Sequence, residues 1–438
     1  MRQQSTARTF FCYQCVLTAN TMPATAWGQQ ETFVASDVVK KSYNAENTCA
    51  IAVPIPALAF TALSSMRVLS DIFYMTQYTA AIVGTGRIGF TLGFDRKREQ
   101  PASHTMALLA DRRIRIVAGC DSDAARLTDW KRYVDKRQHT ASGVQTFTTS
   151  RALYAAMGAT LPVPDIITVA VNENAHRTEC IAAIRARPRL VILEKPVALN
   201  SAEAAEIADA ARENDVPVLV NHERRFSADY RAARAYLAHI GTVQHVRAEL
   251  YSGLRVYSAR EEHTGAYSLL HDGTHLVDIV QFLLAALTAQ ADAAENGEVP
   301  LLSSPTITGI WRDEQGDVRN FSAHYHTVAC PEVTISMSGR SRFFAFGVDV
   351  LGTEGRICIG NGYAQWYRRA ESKLYSGFYS LTRDRSVRLP RKTGYFAGMI
   401  RNAISFLDGT STLESPLAVA IADLAVLEEL KASLQREP

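Results

Sequence analysis

Tyr78 to Gly89 reads YTAAIVGTGRIG, and the reading of the fold turns on this stretch. Ala80, Ala81, Ile82 and Val83 make an apolar run of strand length that passes straight into Gly84-x-Gly86-x-x-Gly89. A buried strand followed by that spacing opens a dinucleotide-binding βαβ unit. Gly84 permits the tight turn out of the strand. Gly86 lets a pyrophosphate approach the backbone, and Gly89 lets the following helix pack close to the sheet. That helix is expected to turn its free N–H groups and positive dipole end toward the phosphates. Gly84, Gly86, Arg87, Ile88 and Gly89 are therefore the candidate phosphate loop.

At 438 residues the chain is too long for one ordinary domain. Its 47% apolar and 21% charged content fits a soluble globular protein. A net charge of +3 offers no electrostatic case for nucleic acid or an anionic membrane as a partner. Cys120, Cys180, Cys330 and Cys358 are scattered singly, as free thiols of a reducing compartment are, and a cytoplasmic location is expected. Cys12-x-x-Cys15 has redox or half-zinc spacing, but no second CxxC or His pair is placed to complete a site.

Residues 1–77 differ from the rest. They hold few charges and no sustained period, and Pro54 and Pro56 break the apolar stretch at 50–63. An unstructured N-terminal extension is expected there. Met75, just ahead of the glycine-loop strand, is the expected natural start, so that residues 1–74 would lie outside the mature protein.

From Tyr78 onward strands and helices alternate. Ile114 to Ala118 is a second strand ending in Cys120-Asp121. An acid there is placed for the ribose hydroxyls of NAD and would repel a 2′-phosphate, so NAD is favoured, with NADP possible because Arg126 is close. The charged segment at 94–103 reads as a surface insertion. Further strands are expected at 164–171, 190–193 and 216–220, with helices between them. This is the pattern of a parallel sheet covered on both faces, with ligands at the carboxyl ends of the strands. The loops at Gly84, Asp121, Asn172, Glu194 and Asn221 should line one rim. After residue 221 the pattern changes to β-rich runs at 243–251, 306–311, 320–325, 333–338, 343–351 and 356–359. They are separated by turns, as in a mostly antiparallel sheet. A helix opens at His271-Asp272-Gly273-Thr274-His275, residues 289–300 read as an exposed connection, and residues 416–434 form a last amphipathic helix. The expected organisation is an extension (1–77), an α/β Rossmann domain (78–221) and an α+β domain with a large open sheet (222–438).

In order along the chain stand GTGRIG, an acid ending strand two, His176, EKP at 194–196, RRF at 224–226 and GTHLVD at 273–278. Together they resemble the Gfo/Idh/MocA oxidoreductases, the family of glucose–fructose oxidoreductase and inositol dehydrogenase. The resemblance runs from about Tyr78 to the C-terminus. It implies NAD or NADP, a sugar, cyclitol or related polyol as substrate, and a homodimer or homotetramer formed through the C-terminal sheet. It also implies that Lys195 lies near the nicotinamide and the substrate hydroxyl, that Glu194 orients it, and that His275 is the acid/base. Asn172 and His176 would join the cofactor site. One departure stands out. Many members carry an aspartate four residues before that histidine. Here the position is His271, and the acid, Asp272, comes one residue later.

Oxidising a secondary alcohol needs a group to take the O–H proton while hydride leaves the carbon. Lys195, His275, His271 and Asp272 are the candidates for catalysis and, with Arg225, for holding substrate. His222, Glu223 and Arg224 follow the last strand and are placed to reach substrate too, and Arg225 beside Phe226 reads equally as a buried ion-pair anchor. His271, His275 and Asp278 also have metal-ligand spacing, but no metal is expected. Competing readings are an enzyme that uses tightly bound NAD for internal redox, such as elimination or glycoside cleavage, and a non-catalytic NAD-binding regulator.

Overall fold

The computed structural model describes residues 77–138, 143–288 and 300–436. The expected extension up to residue 76, the Cys12/Cys15 pair and the connection at 289–299 lie outside the described residues.

Six strands form the first sheet: β1 (Tyr78–Val83), β2 (Ile114–Cys120), β3 (Gln145–Phe147), β4 (Ile166–Val169), β5 (Leu190–Leu193) and β6 (Val218–Val220). They lie in the order β3-β2-β1-β4-β5-β6, all parallel. The central strands are buried at nearly every residue because both faces are covered. Alternate side chains enter two cores. Ala81, Val83, Ile167, Val169, Val191 and Leu193 join one. Ala80, Ile82, Ile166, Leu190 and Ile192 join the other. The strand order reverses between β1 and β4, and this leaves a crevice at their carboxyl ends.

The helix expected directly after Gly89 is not continuous. The N–H groups of Phe90 and Thr91 return to the Gly86 carbonyl, and a short 3-10 turn spans Thr91–Phe94. The chain then departs in an excursion at 95–103. Pro101 has no N–H to give a helix. Glu99 fastens the excursion elsewhere, its carboxylate accepting from Thr393 N, Thr393 Oγ1 and Gly394 N at 2.8, 3.0 and 2.6 Å. The helix resumes as His104–Ala110, capped by Ser103. Its first N–H groups are used within the chain: His104 N donates to Ile88 O at 3.1 Å and Thr105 N to Gly89 O at 2.9 Å. The amino end of this helix therefore sits on the glycine turn and does not face a phosphate directly.

The second sheet holds eight strands: β7 (Val243–Tyr251), β8 (Thr306–Arg312), β9 (Val318–Tyr325), β10 (Val333–Ser338), β11 (Ala345–Gly352), β12 (Gly355–Gly360), β13 (Tyr363–Glu371) and β14 (Tyr379–Asp384). Their order is β14-β13-β12-β11-β7-β10-β9-β8, antiparallel except for the parallel pair β7–β10. β13 and β14 carry no apolar alternation, which is why the sequence pattern missed them. Every residue of β14 except Asp384 is exposed.

The chain finally returns to the first sheet. The helix Tyr395–Leu407, unexpected from the sequence pattern, packs Phe396, Met399, Ile400 and Ile404 beside Tyr78, Ile82 and Leu108. Ser415 O accepts the Val220 N–H at 3.0 Å, just ahead of the last helix, Leu417–Arg436.

Glu99→Ala removes three charge-assisted hydrogen bonds. It is expected to cost about 1–3 kcal/mol and to raise hydrogen exchange at residues 95–103 and 393–395. Exchange read by mass spectrometry should leave β1 and β4 protected as before. Unchanged exchange at 95–103 would show that Glu99 does not hold the excursion.

Candidate functional site

The glycine loop divides its space as the motif requires. Gly84 adopts φ +94°, and a Cβ there would lie 2.3 Å from the Ala170 carbonyl oxygen. A Cβ on Gly89 would lie 2.0 Å from the Gly84 carbonyl oxygen. At Gly86 the nearest atom to such a Cβ is Arg126 Nη1, 3.6 Å away. Two glycines are thus closed by the chain itself and the middle one faces open space, so the loop can seat a pyrophosphate against its backbone. Arg87 is exposed beside it and Ile88 half-buried.

Asp121 is nearly buried and committed to this loop. Its carboxylate accepts from Thr85 N at 2.8 Å, Thr85 Oγ1 at 3.1 Å and Asp123 N at 2.9 Å. Arg126 bridges Asp121 and Asp123, at 3.3 and 3.2 Å. The acid expected to meet the ribose thus also shapes the phosphate loop.

At the end of β5, Glu194 is buried. It bonds His104 Nε2 at 2.5 Å and accepts from Asn221 Nδ2 at 2.7 Å. Burial would raise its pKa, but His104, Lys195 and Asn221 hold it down to about 2. Glu194 is therefore held as an inward anchor by His104 and Asn221. Next to it, Lys195 reaches out and donates through Nζ to the His271 carbonyl at 2.9 Å. His176 is likewise turned inward. Its Nδ1 lies 2.6 Å from Pro196 O and its Nε2 3.2 Å from Val171 O; the single N–H of the neutral ring donates to one of these carbonyls and ties the ring to the rim loops. Asn172 remains exposed on that rim.

Across the rim, the helices Ser268–His271 and Gly273–Ala285 bring His271 and His275 beside Lys195. His271 Nδ1 is hydrogen-bonded to Glu173, which leads the short turn after β4. Asp272 is half-buried, its Oδ1 4.0 Å from His271 Nε2, too far for a hydrogen bond. Burial, then the positive charges of Arg224, Lys195, His222 and His271, hold His275 well below the ordinary histidine value. Its Nδ1 is buried with no hydrogen-bond partner. Arg224 stacks on Phe346, its guanidinium carbon 3.9 Å from the ring centroid.

Arg225 does not reach this rim. It is buried and paired with Asp278, the anchor arrangement, and so is a poor candidate for holding substrate. The His271–His275–Asp278 spacing does not converge either. Among the described residues, Asp278 groups instead with His222 and Asp423. His222 Nδ1 lies 3.2 Å from Asp278 and 3.5 Å from Asp423. The Arg225 guanidinium already supplies a cation to this group.

Sequence reading placed His222 and Arg224 after the last strand, within reach of substrate, but missed Glu173, His104 and Asp423. For His104 a signal existed: it follows the glycine motif once the excursion is cut out. The others depend on three-dimensional proximity. Glu173 and His271 are 98 residues apart.

Residues 78–222 match the family model described as "Oxidoreductase family, NAD-binding Rossmann fold". The chain is 27% identical to 1,5-anhydro-D-fructose reductase of Ensifer adhaerens, over 47% of this chain and 59% of that one. It is 27% identical to D-apiose dehydrogenase of Paraburkholderia graminis, over 57% and 61%. The chain spans about 60% of the length of the first curated relatives it matches. Its fold resembles that of an oxidoreductase from Agrobacterium radiobacter solved with NAD+, L-tartaric acid and magnesium. The TM-score is 0.59 at 16% identity, covering 82% of this chain and 97% of that one.

Burial and the nearby charge of Asp278 raise Asp423 to about 7. The folded protein then holds this proton more tightly than the unfolded chain does. The resulting stability is complete below about pH 4 and is lost as pH rises through 7. Asp423→Asn keeps an acceptor for Gln281, which donates to Oδ1. Its Tm is expected to exceed wild type by a few degrees at pH 8, with the gain shrinking toward pH 4.5 in calorimetry. A difference independent of pH would mean that Asp423 does not titrate in this range.

Proposed function

We propose that this chain, whose residues 78–222 match the Gfo/Idh/MocA oxidoreductase model, transfers hydride between a nicotinamide dinucleotide and a secondary alcohol or ketone of a sugar, cyclitol or related polyol. The observation that carries this reading is the meeting of Lys195, His271 and His275 at the carboxyl rim of the first sheet, beside the glycine loop. A sensor needs neither an ammonium nor an imidazole there. The relatives named for 1,5-anhydro-D-fructose and D-apiose support the substrate class.

When bound, the dinucleotide supplies the hydride chemistry. Gly84, Gly86, Arg87, Ile88 and Gly89 hold the pyrophosphate. The acids Asp121 and Asp123 around Arg126 disfavour a 2′-phosphate, so NAD is preferred over NADP. The Lys195 ammonium polarises the reacting oxygen and fixes its place. His275, kept neutral by burial and surrounding cations, hydrogen-bonds the same polar substrate face. We further propose a dinucleotide-binding half at 78–221 and a substrate-binding half at 222–438. Self-association would occur through the eight-stranded sheet, where Phe343, Phe344 and Phe378 are exposed.

Lys195→Ala is expected to lower turnover by about a hundredfold or more with dinucleotide affinity little changed. Gly86→Val should weaken dinucleotide binding by at least about tenfold, because the side chain fills the pyrophosphate's place. Both can be read from reduced-dinucleotide absorbance with a panel of inositols, aldoses, amino sugars and sugar acids, together with dinucleotide fluorescence titrations. Near-normal turnover in the lysine variant would remove the central assignment. Unaltered affinity in the valine variant would remove the phosphate loop.

A further inference from the structure

The reading above leaves open which group exchanges the hydroxyl proton, and position 271 bears on it. We propose that His271, held by Glu173, is the catalytic residue that takes and returns this proton, with Glu173 as its positioning residue. The inference rests on the hydride-transfer reading and departs from the family resemblance, which gives the acid/base role to His275.

Four observations converge. First, Glu173 binds the Nδ1 side of His271. Nδ1 then carries a hydrogen donated to the carboxylate, and the Nε2 lone pair is left for another partner. A carboxylate in that place fixes the tautomer and stabilises the imidazolium formed in reaction. Second, Glu173 is itself fixed. It heads the turn Glu173–Ala175 at the end of β4, its side chain is 20% exposed, and a Cβ on Gly265 would stand 3.3 Å from its own Cβ. Burial alone would raise its pKa. His271 and Lys195 outweigh that and keep it below the usual carboxylate value. Third, Lys195 Nζ is bonded to the carbonyl of the same His271, so the ammonium and the imidazole stand at one place. The His271 side chain is 42% exposed, and the nearest Asp272 oxygen, at 4.0 Å, does not engage its Nε2.

Fourth, His275 lacks what His271 has. Its Nδ1 is buried without an acceptor or donor. A proton arriving on His275 would meet Arg224, Lys195, His222 and His271 with no carboxylate beside it. His275 suits a neutral hydrogen-bonding role toward substrate, and His271 suits proton exchange. In the oxidation direction the substrate O–H bond breaks and its proton bonds to His271 Nε2. The neighbouring C–H bond gives its hydrogen, with both electrons, to the nicotinamide ring. A carbon–oxygen double bond forms, and the imidazolium remains paired with Glu173. Reduction reverses each step.

The test uses the full chain and four variants: Glu173→Ala, Glu173→Gln, His271→Asn and His275→Asn. Long-range proton–nitrogen spectra of histidine-labelled protein report the ring tautomer without any substrate, and His271 is identified by its loss in His271→Asn. In wild type its ring is expected as the Nδ1–H form, changing to Nε2–H in Glu173→Ala. In turnover with NAD and a panel of myo-inositol, D-glucose, D-glucosamine and D-gluconate, His271→Asn is expected to lower kcat by about a hundredfold or more. Glu173→Ala should lower it by about tenfold, Glu173→Gln should fall between that variant and wild type, and the KM for NAD should hold in all of them. His275→Asn should act mainly on the KM for the polyol. An Nε2–H tautomer at His271 in wild type overturns the proposal. So does a normal kcat in His271→Asn alongside a lost kcat in His275→Asn. If wild type reduces no dinucleotide with any polyol, the hydride-transfer reading fails separately, and the ring spectra still decide whether Glu173 holds His271 for proton exchange.

Discussion

The rest of the structure depends on the buried carboxylate of Glu194. A buried charge must be paired or it costs several kcal/mol. Its partners come from separate parts of the chain: His104 from the resumed helix and Asn221 from the end of β6. Satisfying one carboxylate therefore brings the glycine turn, β5 and β6 into register. It also settles the neighbouring residue. With Glu194 held inward, Lys195 is directed outward to the His271 carbonyl. Lys195 is placed by the acid behind it.

A second group of charges binds the helix that carries His275. Arg225 and Asp278 are paired and buried, and His222 and Asp423 complete the group. It joins the end of β6, the helix Gly273–Ala285 and the last helix at a place that water does not reach. His222 is raised in pKa although burial opposes it, because Asp278 and Asp423 are close. Its positive charge in turn adds to the field that keeps His275 neutral. Structure and chemistry share the same residues here, so changes in this group act on both.

Local pattern and physical necessity agree at the opening strand. The apolar run at 80–83 and the three glycines do what their spacing implies, because each task there is steric and local. β7 and β10 were legible at both ends for the same reason: alternation over a half-covered face. Legibility failed where the cause is distant. The segment at 94–103 reads as an insertion, but what fastens it does not show: Glu99 finds Thr393 and Gly394, nearly 300 residues on. Asp121 looked like a ribose ligand and proved also to be a loop fastener. Arg225 read equally as a substrate contact and as an ion-pair anchor, and only the fold shows that Asp278 lies beside it. A sequence shows that a charge exists but not which opposite charge will lie beside it. The carboxylate missing at position 271 reappears as Glu173 from another strand end, and no spacing rule connects the two.

The return of the chain to the first sheet has a consequence for its birth on the ribosome. β1 to β6 are complete by residue 220, yet part of their core is supplied by Phe396, Met399, Ile400 and Ile404. At typical synthesis rates those residues follow β6 after roughly ten to thirty-five seconds. Until then Ile82 and Leu108 lack their cover, and the nascent first sheet presents an apolar face to whatever surrounds it. Vectorial folding, N-terminal part first, is thereby interrupted. The sheet that begins the molecule is closed by one of the last elements made, so assembly of the nucleotide crevice is tied to completion of the whole chain.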